Sequence, residues 1–428
     1  MDKEKNETET VEDMIKKLKK SPLYAMSLGG RELYHSNFWA WLMKKDKKFI
    51  NVFFNDINFE NAEITREEND HDLTIKKDGK IYIIENKIKS LATKEQLNRY
   101  SLDIIKWYIN SITKKNQSNI SVLRFLFDKC GITTEQKEGL LAKKPYLKDN
   151  LNNTTAENSN IALLTGLPSE GPNFIQDSIW SYMSYSNISE KIKEIAYETS
   201  NLTEDERNIV FKYCDDVKRL SCVIDNLLKE SKDKYSFKLA DAKKYNLKDI
   251  RFDDTYKKLK MEDFAKTVNL DTIDEKVKDK DGFELKKVVE FSNKHAILTV
   301  KYEYEKRKKT GRKCDRYAIG IQIEEYAFRY FVEAPELATK TCSKNKSDLE
   351  EFQKLADAGW FISKDSKNKF HGNDLASEGD PCNKYEPNFI YQHYKLNKGK
   401  KYSDVRGKIY QAFESDAFFN AFKIIKDM

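Results

Sequence analysis

The chain is poor in cysteine, with six in 428 residues, and no two of them form a CxxC pair. Cys130, Cys214, Cys222, Cys314, Cys342 and Cys382 are scattered. Cys314, Cys342 and Cys382, even with His371, lack the paired spacing of a zinc site, so they read as ordinary thiols. Such usage fits a reducing compartment, and a cytoplasmic protein is expected. No apolar run reaches 18 residues, so no membrane span is expected. The opening stretch, "MDKEKNETETVEDM", carries no apolar run, so no signal peptide is expected either. There is no internal repeat and no long low-complexity tract. Neither charge sign dominates strongly. The 77 basic and 70 acidic side chains leave +7, which permits a polyanionic partner without requiring one.

What is present argues for folded domains. Apolar residues make up 39% and aromatic residues 12%, too many for a disordered chain. The length suggests two or three domains. Residues 1–30 read as an N-terminal helical extension, with a short amphipathic helix over 11–20. "RELYHSNFWAWLMKK" (31–45) is apolar over much of its surface and predicts a largely buried helix. A first strand is expected within 49–64. Two strands, 71–76 and 80–87, flank "KKDGK", and Asp78-Gly79 is among the strongest short hairpin signals. A helix follows in "TKEQLNRYSLDIIKWYINSI", with Thr93 as N-cap. Residues 114–160 are polar and read as an insertion. "IALLTGLP" (161–168) is a buried strand, and helices are expected near 175–199 and 204–229. From about 236 to 428 the pattern becomes that of a second, α+β domain. It contains an antiparallel meander over 295–334, a helix in "SDLEEFQKLADAG", a strand in "NFIYQHYKL" and one closing helix over 405–425.

The hairpin places the chemistry. A two-residue Asp78-Gly79 loop pairs Lys77 with Lys80, and the same register sets Asp72 opposite Glu85 and Asp70 opposite Lys87. Opposed side chains share a face with Cβ atoms roughly 4.5–5.5 Å apart, and period-two alternation puts Lys87 on the face of Glu85. A slip of one residue would move Asp72 to the other face, and a different shift of the register would let Asp70 replace it. Two carboxylates so close repel unless a cation sits between them, and hard oxygen donors suit Mg²⁺ or Mn²⁺. A neighbouring lysine can orient water or steady developing phosphorane charge, so the set suits phosphodiester hydrolysis. Glu-x-Lys triplets are common in this chain, as at 135–137 and 284–286, but those lack a partner acid across a hairpin.

Asp72, followed thirteen residues later by Glu85-Asn86-Lys87 after an apolar strand, resembles the PD-(D/E)XK nuclease superfamily. Gln96 and Tyr100 in "EQLNRY" match the QxxxY helix motif of some branches. "ELYHSNFWAWLM" (32–43) and "WSYMSYSNISEKI" (180–192) are similar to a prokaryotic branch with an "ENK" centre. The literal Pro-Asp is absent, since Asp72 follows His71. The resemblance covers residues 31–232 and implies a restriction-endonuclease-like αβββαβ core. It implies that Asp72 and Glu85, with the Asn86 carbonyl, bind Mg²⁺ (or Mn²⁺), and that Lys87 positions the attacking water. Glu32 would reach a second metal or water, or else only stabilise its helix N-terminus. Gln96 and Tyr100 would touch the scissile phosphate or brace the lysine, or else serve only their helix. His35 reads as a buried hydrogen-bonding residue.

The basic, aromatic-flanked run "KYEYEKRKKTGRKCDR" makes Lys306, Arg307, Lys308, Lys309, Arg312 and Lys313 candidates for nucleic-acid contact, with a solvated hairpin tip as the alternative. The expectation is a metal-dependent DNA endonuclease, with bacterial restriction or phage defence as its setting, and a homo-oligomer or a defence-system protein as a further partner. The alternatives are a non-catalytic scaffold that keeps the fold to bind nucleic acid or protein, and a nuclease directed at RNA or at particular structures.

Overall fold

The computed structural model describes all residues except 1–8, 27–31, 56–57, 89, 114–116, 158, 177, 236–246, 272–285, 293–295, 308–313, 336–349, 362–374, 378–382, 385–388, 397–399 and 428. The chain divides into two compact units. One is Met1–Lys229 with Tyr245–Asp253, and the other is Glu230–Lys244 with Asp254–Met428.

The first unit opens with α1 (Val11–Lys20), α2 (Pro22–Met26) and α3 (Glu32–Lys45). As expected, α3 is largely buried, through His35, Ser36, Trp39, Ala40, Leu42 and Met43, although Leu33 is exposed. The first strand lies later than expected. Residues 47–52 form a 3₁₀ helix, and β1 is Glu63–Glu68. It turns into β2 (His71–Lys77), pairing Glu68 with His71 across Asn69 and Asp70, both at positive φ. The two-residue Asn-Asp turn was the overlooked signal, because both side chains tolerate the left-handed region.

β3 (Lys80–Asn86) returns across the Asp78-Gly79 turn, with φ of 49° and 72°. That is the type I′ geometry the two residues favour. The register is the expected one: Lys77 faces Lys80, and Leu73 faces Ile84. Asn119 Nδ2 donates to the Gly79 carbonyl at 2.6 Å and fastens the turn to the next helices. α4 (Lys94–Ser111) begins at Thr93, whose hydroxyl accepts from the Gln96 amide. The insertion holds three short helices: α5 (Ile120–Lys129), α6 (Thr134–Leu141) and α7 (Tyr146–Asn152). β4 (Ala162–Gly166) then lies parallel to β3. β5 (Trp180–Ser184) is parallel to β4, and α8 (Tyr185–Glu198) and α9 (Glu204–Glu230) complete the unit. The helix expected over 175–199 is therefore a strand followed by a helix. Ser184 ends the strand and caps α8 by accepting from the Asn187 amide.

The five strands lie in the order β1-β2-β3-β4-β5. Side chains alternate between the two faces. α4 crosses one face, where Trp180 Nε1 donates to Ser101 Oγ at 3.0 Å. α3 and α8 cover the other, where Ser36 and Tyr185 meet Asn86. The result is the restriction-endonuclease-like α/β/α core, extended by one strand.

The second unit is α+β. α10 (Asp253–Lys266) precedes β6 (Lys286–Ser292), β7 (Ile297–Arg307), β8 (Cys314–Glu324) and β9 (Ala327–Glu333). α11 (Glu350–Asp357), β10 (Leu375–Ser377), β11 (Asn383–Lys384) and β12 (Phe389–Leu396) follow. The antiparallel sheet runs β10-β12-β9-β8-β7-β6, and β11 also pairs with β12. The expected single closing helix is two, α12 (Tyr402–Phe413) and α13 (Asp416–Asp427). Ser415 divides them: its hydroxyl donates to Ala412 O and accepts from the Phe418 amide, which caps α13. The break lets Phe413 and Phe418 meet edge-on at 5.3 Å in a core with Trp360 and Tyr302. Among the described residues, no helix is long and apolar enough to cross a membrane.

Candidate active site

The site sits where β2 and β3 leave the sheet. Continuing the register one step past Leu73 and Ile84 sets Asp72 opposite Glu85. Glu85 is only 2% exposed. Its Oε1 lies 2.7 Å from Lys87 Nζ and accepts from Gln96 Nε2 at 3.1 Å. Its Oε2 is buried without a hydrogen-bond partner. Gln96 Nε2 also lies 3.0 Å from the Tyr100 hydroxyl, which donates to the Asp70 carbonyl at 3.2 Å. Gln96 and Tyr100 meet because they are four apart, one helical turn, on α4.

Asp72 Oδ2 accepts from the Asn86 amide at 2.7 Å. Asp70 lies in the β1–β2 turn, where its carbonyl accepts from the Tyr100 hydroxyl. Tyr100 also packs edge-on against the buried His71 ring at 4.7 Å.

Glu32, the first residue of α3, accepts at Oε1 from the Ile88 amide (3.2 Å), the Ser90 amide (3.1 Å) and the Ser90 hydroxyl (2.5 Å). The Asn86 side chain is fully buried. Its Nδ2 donates to Glu32 O at 2.8 Å and Ser36 Oγ at 3.2 Å, and its Oδ1 accepts from Thr165 Oγ1 at 3.2 Å and from the Tyr185 hydroxyl. Lys87 N donates to Thr165 O at 3.1 Å.

Burial sets the electrostatics. Desolvation raises Asp72 to about 6, although the Asn86 amide and Lys87 oppose it. Desolvation raises Glu85 to about 7, with Lys87 opposing and the charges of Asp72 and Glu32 adding to the rise. Desolvation alone would lower Lys87, but the fields of Glu85, Glu32 and Asp72 outweigh it, so its ammonium is held above the ordinary lysine range. Three carboxylates share one ammonium, so the ionised cluster is short of positive charge.

Two uncompensated acids with an orphaned buried carboxylate oxygen are suited to a divalent cation. Among the described residues, no group of three or more His, Cys, Asp or Glu side chains could hold a metal ion by themselves. A cation here would complete its shell from backbone oxygen and water, as Mg²⁺ ordinarily does.

Sequence reasoning named Asp72, Glu85, Lys87, Gln96 and Tyr100, and all five lie in one contiguous cluster, while Glu32, on α3, holds the loop that follows β3. It gave no part to Ser36, Thr165 or Tyr185. A lone threonine inside the apolar "IALLTG" strand was the one visible hint. Lys308, Lys309, Arg312 and Lys313 lie outside the described residues, as do Cys342, His371 and Cys382. Lys306 and Arg307 are strand positions of β7 opposite Asp315 and Cys314.

A mixed α/β/α core, with a hairpin that delivers Asp72, Glu85 and Lys87 to one end of the sheet, is the arrangement of a restriction-endonuclease-like fold. Residues 22–215 match the family model described as PD-(D/E)XK nuclease superfamily. Comparisons with curated proteins and with solved structures give no match.

Proposed function

We propose that the chain is a divalent-metal-dependent nuclease that hydrolyses DNA phosphodiester bonds at the Asp72/Glu85/Lys87 cluster. The observation that carries the reading is the Glu85 carboxylate. It is buried and held at Oε1 by Lys87 and Gln96, yet its Oε2 has no partner. A structural acid so deeply desolvated is costly unless both oxygens are satisfied. A site that receives a cation has reason to keep one oxygen open.

Asp72 and Glu85, with the Asn86 carbonyl, would hold the ion. Bound there, Mg²⁺ or Mn²⁺ supplies a Lewis acid for a phosphodiester. Lys87 remains an ammonium at neutral pH under the three acids. It therefore donates hydrogen bonds, to an incoming water or to a phosphoryl oxygen, and offsets charge that grows in the transition state. Gln96 fixes the Glu85 oxygen that meets the lysine, and Tyr100 fixes Gln96 and anchors both to the β1–β2 turn.

DNA as the substrate rests on the restriction-endonuclease-like core, and bacterial restriction or phage defence is the setting that accords with it. The second unit is assigned to substrate or partner binding, with the basic run 306–313 as its nucleic-acid contact. A homo-oligomer or a defence-system protein completes the proposed assembly.

The test is cleavage of plasmid DNA by purified protein with Mg²⁺ or Mn²⁺, beside Glu85→Ala and Glu85→Gln. Cutting that needs the metal and disappears in both variants supports the enzyme. Intact plasmid with retained binding supports a scaffold. Parallel single-stranded DNA and RNA substrates decide the nucleic acid.

A further inference from the structure

Lys87 is gripped on both sides by one residue of another element. Glu32 opens α3, and its backbone carbonyl accepts from Asn86 Nδ2, immediately before the lysine. Its carboxylate accepts from the amides of Ile88 and Ser90, immediately after it. Ser36, one turn further along α3, accepts a second hydrogen bond from the same Asn86 nitrogen. On the far side, Thr165 and Tyr185 donate to Asn86 Oδ1, and the Thr165 carbonyl takes the Lys87 amide. The Asn86 carboxamide thus uses both its donors and both acceptor positions within the core.

Only an amide fits this role. A carboxylate at position 86 would set an oxygen against the Glu32 carbonyl and lose two donors. An alanine would leave the Thr165 and Tyr185 hydroxyls without the acceptor they share. A polar network this complete, where an apolar residue would pack at lower risk, fixes a geometry.

We propose that Glu32 and Asn86 form a clamp that sets Lys87 against Glu85, and that both are positioning residues. This rests on the nuclease reading of the cluster. It assigns Glu32 a part that depends on its oxygen as an acceptor and not on its charge. That separates it from a cation ligand, for which charge is decisive. It also assigns Asn86 a part in its side chain, distinct from any part of its carbonyl.

The test measures Mn²⁺ affinity by electron paramagnetic resonance in full-length protein, alongside DNA cleavage and circular dichroism. Glu32→Ala is expected to weaken Mn²⁺ binding and cleavage 10–100-fold, the usual range for a lost supporting partner at a metal site. Glu32→Gln, whose Oε1 still accepts from both amides, is expected to restore both to within about threefold of wild type. Asn86→Asp is expected to resemble Glu32→Ala. Tyr185→Phe, which removes a single hydroxyl and keeps the ring, provides the milder variant should Asn86→Asp fail to fold. It is expected to lower affinity several-fold without loss of helix signal.

Glu32→Gln as impaired as Glu32→Ala would overturn the clamp in favour of a charge role. Wild-type affinity and cleavage in folded Asn86→Asp or Tyr185→Phe would overturn it as well. Wild type that binds Mn²⁺ no better than Asp72→Asn sinks the nuclease reading, and the clamp with it.

Discussion

The backbone amide of Asn86 donates to Asp72 Oδ2 at 2.7 Å. The residue that follows one acid of the site therefore holds the other acid in place. The bond spans the β2–β3 hairpin at the point where the ladder ends, so the separation of the two acids follows from strand register. What remains unbalanced is charge. Asp72 and Glu85 are both driven upward in pKa by burial, and one lysine serves both.

The first prediction concerns Asp72→Asn. The amide keeps an oxygen for the Asn86 N–H but removes a desolvated charge. In metal-free buffer at pH 7.5 the variant is expected to be more stable than wild type by up to about 3 kcal/mol, the equivalent of the shift from 3.8 to about 6. With Mn²⁺ the order reverses, because only wild type gains linkage stabilisation of about 4.1 kcal/mol at a thousandfold excess over Kd. Thermal melts with and without the ion measure both. An unchanged or lower metal-free stability contradicts the account.

The second concerns the Glu85–Lys87 pair, whose side chains are 3% and 12% exposed. Breaking a buried pair by removing one partner typically costs about 3–5 kcal/mol. Lys87→Met alone is expected to fall in that range. The double variant with Glu85→Gln is expected to recover at least about 1 kcal/mol of the summed loss. Urea titrations of the four proteins provide the cycle, and strictly additive losses would show that the two side chains do not depend on each other.

The hairpin and its register were legible in the sequence because Asp78-Gly79 has few conformational alternatives. The first hairpin was not, because Asn69-Asp70 sits in a charged stretch where the strand pattern fades. β5 was hidden by its neighbour. "WSYMSYSNISEKI" has helical spacing from Tyr185 onward, and only the Ser184 cap divides strand from helix. Glu85, Lys87 and Gln96 could be placed together from local rules, since a hairpin and one helical turn suffice. Ser36, Thr165 and Tyr185 converge on Asn86 from three elements distant in sequence, and no short-range pattern encodes such a meeting.

The third prediction tests the turn. Gly79 has φ of +72°, and an added Cβ would lie 3.3 Å from Asn119 Nδ2. Gly79→Ala is expected to cost about 1–2 kcal/mol from the left-handed backbone alone. Because the turn sets the register, cleavage is expected to fall together with stability. Activity retained in full at a temperature where the variant is folded would show that the strand ends are fixed elsewhere.

The fourth concerns pH. Burial lowers His35 from 6.5 to about 3. Between those values the unfolded chain binds a proton that the folded one refuses, so folding stability falls as pH drops below 6.5 and rises as pH increases toward it. The contribution amounts to about 1.4 kcal/mol per pH unit. In His35→Gln this slope is absent. The stability difference between wild type and variant should therefore shift by about 1.4 kcal/mol per unit, against wild type, as pH falls from 6 to 5. A difference that stays constant with pH would mean that the imidazole titrates normally in the fold.

The most direct test is diffraction from crystals soaked in Mn²⁺, using the anomalous signal of the ion. The account predicts a peak between Asp72 and Glu85, with oxygens of both carboxylates roughly 2.1 Å away, as expected for a hexacoordinate divalent cation of this kind. It further predicts that Glu85 Oε2, buried without a partner, is one of those oxygens. Soaked crystals that show no ion at this position, in protein that cuts DNA in the same buffer, would contradict it.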